Sequence, residues 1–256
     1  MVLQPTLTIA SYTLLEALRN RLIWLFALAA VAAVGLAGFL DELALTESRQ
    51  VQAALLAAAL RLAAVFLMAT FVVTSMVREA NDKGLELLLA LPMPRAAYLF
   101  GKLGGFAVLA LLPALLFGGL GLFFAPFAQA ALWSLSLLCE LWIVAAFSLL
   151  CALSFNQVMP ALAASGGFYL LARGIGGLQL IGHGRFTSHS AAQRAMSAGI
   201  DLIAAVLPGL DGFTRTDWLL YHSGDGAALL ALLAQTALYV SLTTAAALFD
   251  LYRKSI

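Results

Sequence analysis

Six apolar runs, near 22–40, 52–76, 103–124, 132–153, 158–180 and 227–249, dominate this chain of 256 residues. Each is long enough to cross a bilayer, which takes about 20 predominantly apolar residues. The membrane core offers no water to unpaired backbone groups, so a crossing segment must be a helix or a strand of a closed barrel. Barrel strands alternate polar and apolar residues, and these runs do not. The sequence therefore predicts an all-α polytopic membrane protein with six transmembrane helices. Composition supports this: 63% of residues are hydrophobic and 11% charged, against roughly 45–50% and about 25% in soluble domains. No repeat or low-complexity linker divides the chain, so residues 1–256 read as one transmembrane domain. A basic leader and a small-residue cleavage site are missing before the first run, which is expected to stay as an anchor.

The formal net charge is +1 and no dense basic cluster exists, so membrane lipid is the expected partner and nucleic acid is not. Cys139 and Cys151 lie about 18 Å apart on one predicted helix, too far to bond within it, and read as small apolar fillers. Lys and Arg near the span ends set the orientation. With a cytoplasmic N-terminus, Arg19, Arg21, Arg78, Lys83, Arg95, Lys102, Arg253 and Lys254 lie inside, while Arg49, Arg185, Arg194 and Arg215 lie outside. Both termini are expected in the cytoplasm.

Three segments are not spans. Residues 6–21, TLTIASYTLLEALRNR, place Leu7, Ser11, Leu14, Leu15 and Leu18 on one helical face, as an interfacial helix over 6–20 would. Extension of the first span is the alternative. The outer segment 182–226 reads as two short helices lying against or dipping into the bilayer. The first is closed by Pro208 and Gly209; the second is capped by Thr216 and stopped by Gly224. Phe213, Trp218 and Tyr221 suit headgroup depth.

The third segment, 77–102, carries Arg78, Glu79, Asp82, Lys83, Glu86, Arg95 and Lys102 in an otherwise apolar neighbourhood. Pro92 ends a helix and Pro94 suits the first turn of the next, which makes a cytoplasmic elbow. Leu85, Leu88 and Leu89 leave it an apolar side to bury in the interface or in a partner protein. A connecting loop whose basic residues only set topology is the plainer reading. REANDKGLELLLALPMPRAAYLFGK resembles the cytoplasmic segment of type-2 ABC transporter permeases, with Glu79, Gly84, Glu86, Leu88, Pro92, Arg95 and Lys102 matching and Leu85 standing where the family carries Thr or Ser. The resemblance implies an exporter half of the type V architecture, in which two permeases, a homodimer or this chain with a similar permease, each dock an ATP-binding subunit. Two such subunits are expected, with ATP and Mg bound there and no cofactor or metal on this chain. Arg78, Glu79, Asp82, Lys83, Glu86, Pro92 and Arg95 would then form the coupling site, in a bacterial inner membrane. Some relatives serve the maturation of copper enzymes, so a membrane scaffold for enzyme assembly is a further reading.

A phosphate loop of its own is not expected: Gly101–Lys102 is followed by Leu103, and Ala96 stands where the first glycine belongs. The chain therefore reads as no enzyme. His183, His189 and His222 lack the spacing of a metal site. Arg61, Glu140 and Arg173 fall inside spans, where a charge costs roughly 2.5–3.5 kcal/mol and calls for partners. Counting from the span ends sets Arg61 level with Glu140 and Arg173 about a turn higher. An Arg61–Glu140 pair is expected, joined by Arg173, either as a clip between spans or as a gate in the path. An ion- or proton-coupled carrier built on these three residues is the rival function. Glycines cluster in the third and fifth spans, and Gly166 and Gly167 mark the fifth as a dimer seam, a hinge or a packing surface.

Overall fold

The structure, a computed structural model, describes residues 3–43, 48–82, 94–182 and 191–253. Every regular element among them is helical. In chain order these are α1 (Leu3–Arg19), α2 (Leu22–Leu43), α3 (Ser48–Asn81), α4 (Arg95–Leu109), α5 (Leu111–Gly121), α6 (Phe127–Phe155) and α7 (Val158–Gly182). After these come α8 (Ala191–Val206), a 3-10 turn at Leu210–Gly212, α9 (Asp217–Leu220) and α10 (Gly226–Arg253). Among the described residues six stretches are long and apolar enough to cross a membrane: Leu22–Phe39, Gln50–Asn81, Arg95–Gly121, Phe127–Phe155, Val158–Leu180 and Gly226–Arg253. The all-α polytopic fold expected from the sequence is the fold observed.

The bundle is built around α6. It is the most buried of the spans, 78% inside the protein, and apolar on nearly all sides as such a helix must be. It packs against α3, α4, α5, α7, α9 and α10. Trp133, Leu137, Leu141, Ile143 and Leu149 are buried on it. It starts after Pro126 and stops at Asn156, whose φ of 53° is left-handed and tolerated by asparagine. The peripheral helices expose large apolar side chains outward, among them Trp24, Leu28 and Val31 on α2 and Leu230, Leu242 and Phe249 on α10. Lipid is the solvent such a surface fits.

The third span is broken in two. Pro113 has no N–H for the carbonyl of Leu109, and its ring crowds that turn. The helix accordingly breaks at Ala110, between α4 and α5. At its other end, α4 starts at Arg95, well before the apolar run begins.

Helix α1 is separate from the first span. Arg21 takes a left-handed φ of 57° and divides α1 from α2. The face that α1 buries is not its leucine stripe. It lays Thr6, Ile9, Ala10 and Thr13 on Gly101 and Gly105 of α4. A Cβ at Gly101 would stand 2.8 Å from Ile9 Cβ, and one at Gly105 2.7 Å from Thr13 Cβ, so both positions need glycine for this approach. Leu7, Leu15 and Leu18 remain exposed, free for the headgroup layer in which an amphipathic helix settles.

Candidate functional site

Two polar assemblies stand out from the apolar bundle. The first joins α1, α3 and α4. Helix α3 continues without a break to Asn81, so Arg78 and Glu79 ride on a rigid extension of the second span. Lys102, on α4, has a side chain only 7% exposed and forms ion pairs with Glu79 and, at 3.9 Å, with Glu16 of α1. Ser75 donates to Glu16 Oε2 at 2.8 Å, and Arg78 lies 3.9 Å from the other oxygen of that carboxylate. Two carboxylates thus hold one ammonium almost out of solvent, which is tolerable only for a paired charge.

Arg95 opens α4 and reaches across to the last turn of α10. Its guanidinium donates to the carbonyls of Leu251 at 2.8 Å and Tyr252 at 3.4 Å, and lies 6.0 Å from the Tyr252 ring centroid. A cation is well placed on the free carbonyls of a helix C-terminus. Asp82 is exposed at the end of α3. Lys83, Glu86 and Pro92 lie outside the described residues, as do Gly84, Leu85 and Leu88 of the same motif and the histidines at 183 and 189. His222 is exposed, and no metal-binding group of His, Cys, Asp or Glu occurs among the described residues. Cys139 and Cys151 are free thiols, both buried.

The second assembly lies inside the bundle. Glu140 of α6 is fully buried. Its carboxylate accepts hydrogen bonds from Tyr169 at 3.0 Å and Thr214 at 2.6 Å, and pairs with Arg173 at 3.5 Å. Arg173 also donates to the carbonyls of Leu210 at 2.5 Å and Phe213 at 2.9 Å. Arg61 donates to the carbonyl of Thr214 at 3.3 Å, and Ser136 accepts from the Thr214 N–H at 2.9 Å. The expected Arg61–Glu140 pair is therefore corrected: Arg173 makes the ion pair, and Arg61 reaches the assembly through a backbone carbonyl.

The physical reason is a segment that span counting leaves out. Residues 210–220 fold back into the bundle, bent by 66° from the preceding Met196–Val206 helix. Leu210, Phe213, Trp218 and Leu219 are buried there. Thr214 takes a left-handed φ of 42°, so the turn offers its carbonyls to partners instead of to a helical ladder. Irregular backbone in such a position requires partners from the protein, and Arg173, Arg61 and Ser136 supply them. Phe213 and Trp218 accordingly pack against protein and not at a lipid interface, while Tyr221 is exposed. Thr216 precedes α9 without a side-chain cap, and the helix ends at Leu220, before Gly224. Gln129 binds Gly224 instead, accepting from its N–H at 3.0 Å and donating to its carbonyl at 3.1 Å. A signal for the fold-back was present: Pro208–Gly209 ends the preceding helix, and Leu210, Phe213, Trp218, Leu219 and Leu220 follow directly.

The glycines divide by face. Gly118 packs on Ser134 and Gly176 on Asp211, whereas a Cβ added at Gly166, Gly167, Gly174 or Gly177 of α7 would meet no heavy atom within 4 Å.

A family model described as ABC-2 family transporter protein matches residues 40–208, more than half of the chain. No curated protein matches it. The match takes in the spans from α3 to α7, and with them the α3 and α6 members of the two assemblies and the charged stretch after Met76. Membership implies association with an ABC ATP-binding subunit. With six helices among the described residues long and apolar enough to cross a membrane, and a family match across most of them, the chain belongs to the ABC-2 transporter family and is a multi-pass membrane subunit of an ABC transporter.

Proposed function

We propose that the chain is the permease of an ATP-driven exporter, and that residues 77–102 take force from a separate ATP-binding subunit and pass it to the spans. Two permease copies and two ATP-binding subunits make the working unit, with ATP and Mg held by the latter. The elbow and both termini face the cytoplasm, in keeping with the Lys and Arg distribution. The observation that carries this reading is Lys102, held between Glu79 of α3 and Glu16 of α1. Both arms of the elbow are thereby tied to each other and to α1. Arg95 adds a tie to the end of α10. A push on the elbow is then shared by four helices instead of bending one loop, which is what a coupling element requires. Arg78, Glu79, Lys102 and Arg95 serve that internal frame, and Asp82, exposed at the end of α3, meets the partner together with Lys83 and Glu86 of the same charged motif. Charged contacts of that kind set orientation and partner choice more than raw affinity.

The test is co-expression with the ATP-binding subunit and purification of the complex. Asp82→Arg reverses a charge exposed at the end of α3, and Glu86→Arg reverses a second charge of the same motif. The pair of changes is expected to lower co-purification and permease-stimulated ATPase activity about tenfold, the scale of a lost charge-assisted contact, with the permease still monodisperse. Undiminished capture of the ATP-binding subunit would refute the docking assignment. Transport by the permease alone on an ion gradient would refute the ATP-driven reading.

A further inference from the structure

We propose that the groove between α3 and α7 binds an anionic amphiphile from the bilayer, with the acyl chain in the groove and the head at Arg61. The groove has a volume of about 320 Å3, and its walls include Leu62, Val65 and Phe66 of α3, Val144 of α6, and Leu162 and Tyr169 of α7. Phe66 and Leu170, both on its lining, are each 67% exposed, so the groove is open along its side. Its surface is almost entirely hydrocarbon, which suits a chain and not a polar solute.

One end is different. Tyr169 belongs both to the groove wall and to the buried assembly, since its hydroxyl donates to Glu140. Arg61 lies one helical turn from Val65, on the same face of α3. The assembly sets two guanidiniums against one carboxylate, and Glu140 acts on Arg61 only from beyond ion-pair distance. Arg173 has Glu140 at 3.5 Å, whereas Arg61 has no carboxylate within ion-pair distance among the described residues and uses one nitrogen on the Thr214 carbonyl. Its Nε is buried without a hydrogen-bond partner. A cation within a span is costly unless answered, and an anionic head presented by a chain in the groove would answer it. Charge complementarity thus selects the head, and the apolar wall selects the tail. That such an amphiphile is cargo rests on the transporter reading above; that it binds does not.

The experiment uses the full chain in phosphatidylcholine vesicles, without the ATP-binding subunit, so that its outcome is independent of ATP coupling. The probe is a palmitate analogue carrying a photoreactive diazirine on its chain. A trimethylammonium amphiphile with the same chain is the comparison. Labelling by the anionic probe is expected at the groove residues of α3 and α7. Gly166 lines the groove, and a Cβ there would meet no heavy atom within 4 Å, so Gly166→Leu starts into open space, narrows the groove and should abolish labelling by both probes. Arg61→Gln should lower anionic labelling about tenfold, the scale of one charge-assisted hydrogen bond, and leave the cationic probe unchanged. Equal labelling by both probes in the parent protein, or labelling indifferent to Gly166→Leu, would overturn the proposal. So would absent labelling together with cross-linking of two copies through Gly166→Cys, which would give the groove to a second permease. Cys139 and Cys151 are buried and leave that cross-link readable.

Discussion

Around Glu140 each side chain has a distinguishable task, and the tasks rank the substitutions. Arg173 answers the carboxylate and covers two carbonyls of the fold-back turn. Arg173→Leu removes these contacts, together with one to Thr214 Oγ1 at 3.4 Å, and leaves a buried charge without its counter-ion, which costs about 3–5 kcal/mol. Tyr169→Phe removes one hydrogen bond to the same carboxylate, about 1.5–3 kcal/mol. Arg61→Leu uncovers only the Thr214 carbonyl, about 1–3 kcal/mol, and it removes a span charge that is itself unfavourable. Thermal unfolding followed by size-exclusion chromatography in detergent should therefore rank Arg173→Leu as most damaging and Arg61→Leu as least. A well-folded Arg61→Leu protein that fails in transport would assign Arg61 to the path; a transport-competent one would leave it a clip on the turn. Equal damage from Arg61→Leu and Arg173→Leu would contradict the division of labour between the two arginines.

Among the helices, the docking of α1 on α4 depends on the absence of two side chains. Gly105→Val places carbon where Thr13 Cβ stands 2.7 Å away, while Gly104, its neighbour, has no heavy atom within 4 Å. Gly105→Val should detach α1 and expose it to proteolysis. Gly104→Ala should be tolerated or gain about 1 kcal/mol from helix propensity. Limited proteolysis of the two variants in detergent checks both outcomes, and matched cleavage rates would count against the glycine contact. This contact also marks how far the sequence could be read. The six spans were legible because about 20 apolar residues in a row admit few folds, and the charged elbow stood out because charge is scarce in this chain. The face by which α1 docks was not, because small residues signal close approach only when the partner surface is known. Amphipathicity pointed to the leucine stripe, which packing leaves to lipid. The Glu140 partnership was half legible: burial of a carboxylate demands a cation, but span counting placed Arg61 nearest. Helices of 182–226 lying against or dipping into the bilayer offer no partner to a buried arginine, whereas Leu210–Thr214 enters the bundle and brings carbonyls that compete for both arginines.

For the molecule as a whole, the decisive question is whether force entering at the elbow reaches the spans through the Glu79–Lys102 pair. Stability and force transmission can be separated there. Glu79→Leu alone leaves Lys102, 7% exposed, with only the more distant Glu16, and loss of a buried partner costs about 3–5 kcal/mol. Glu79→Leu with Lys102→Met replaces the pair by hydrocarbon of similar bulk, an exchange that is often neutral in stability. Glu16 keeps Ser75 and Arg78 after that exchange, so α1 stays attached to α3 but loses its polar tie to α4. The double variant should therefore fold and, with the proposed docking residues unchanged, still capture the ATP-binding subunit, which hydrolyses ATP in the complex. If the tie carries force, transport in proteoliposomes should fall about tenfold while ATPase activity holds, because the two arms of the elbow would no longer move as one body. Transport and hydrolysis falling together would place the defect in docking. Transport that survives intact would mean that apolar packing of α1, α3 and α4 carries the force without the ion pair, and the role given to Lys102 would have to be withdrawn.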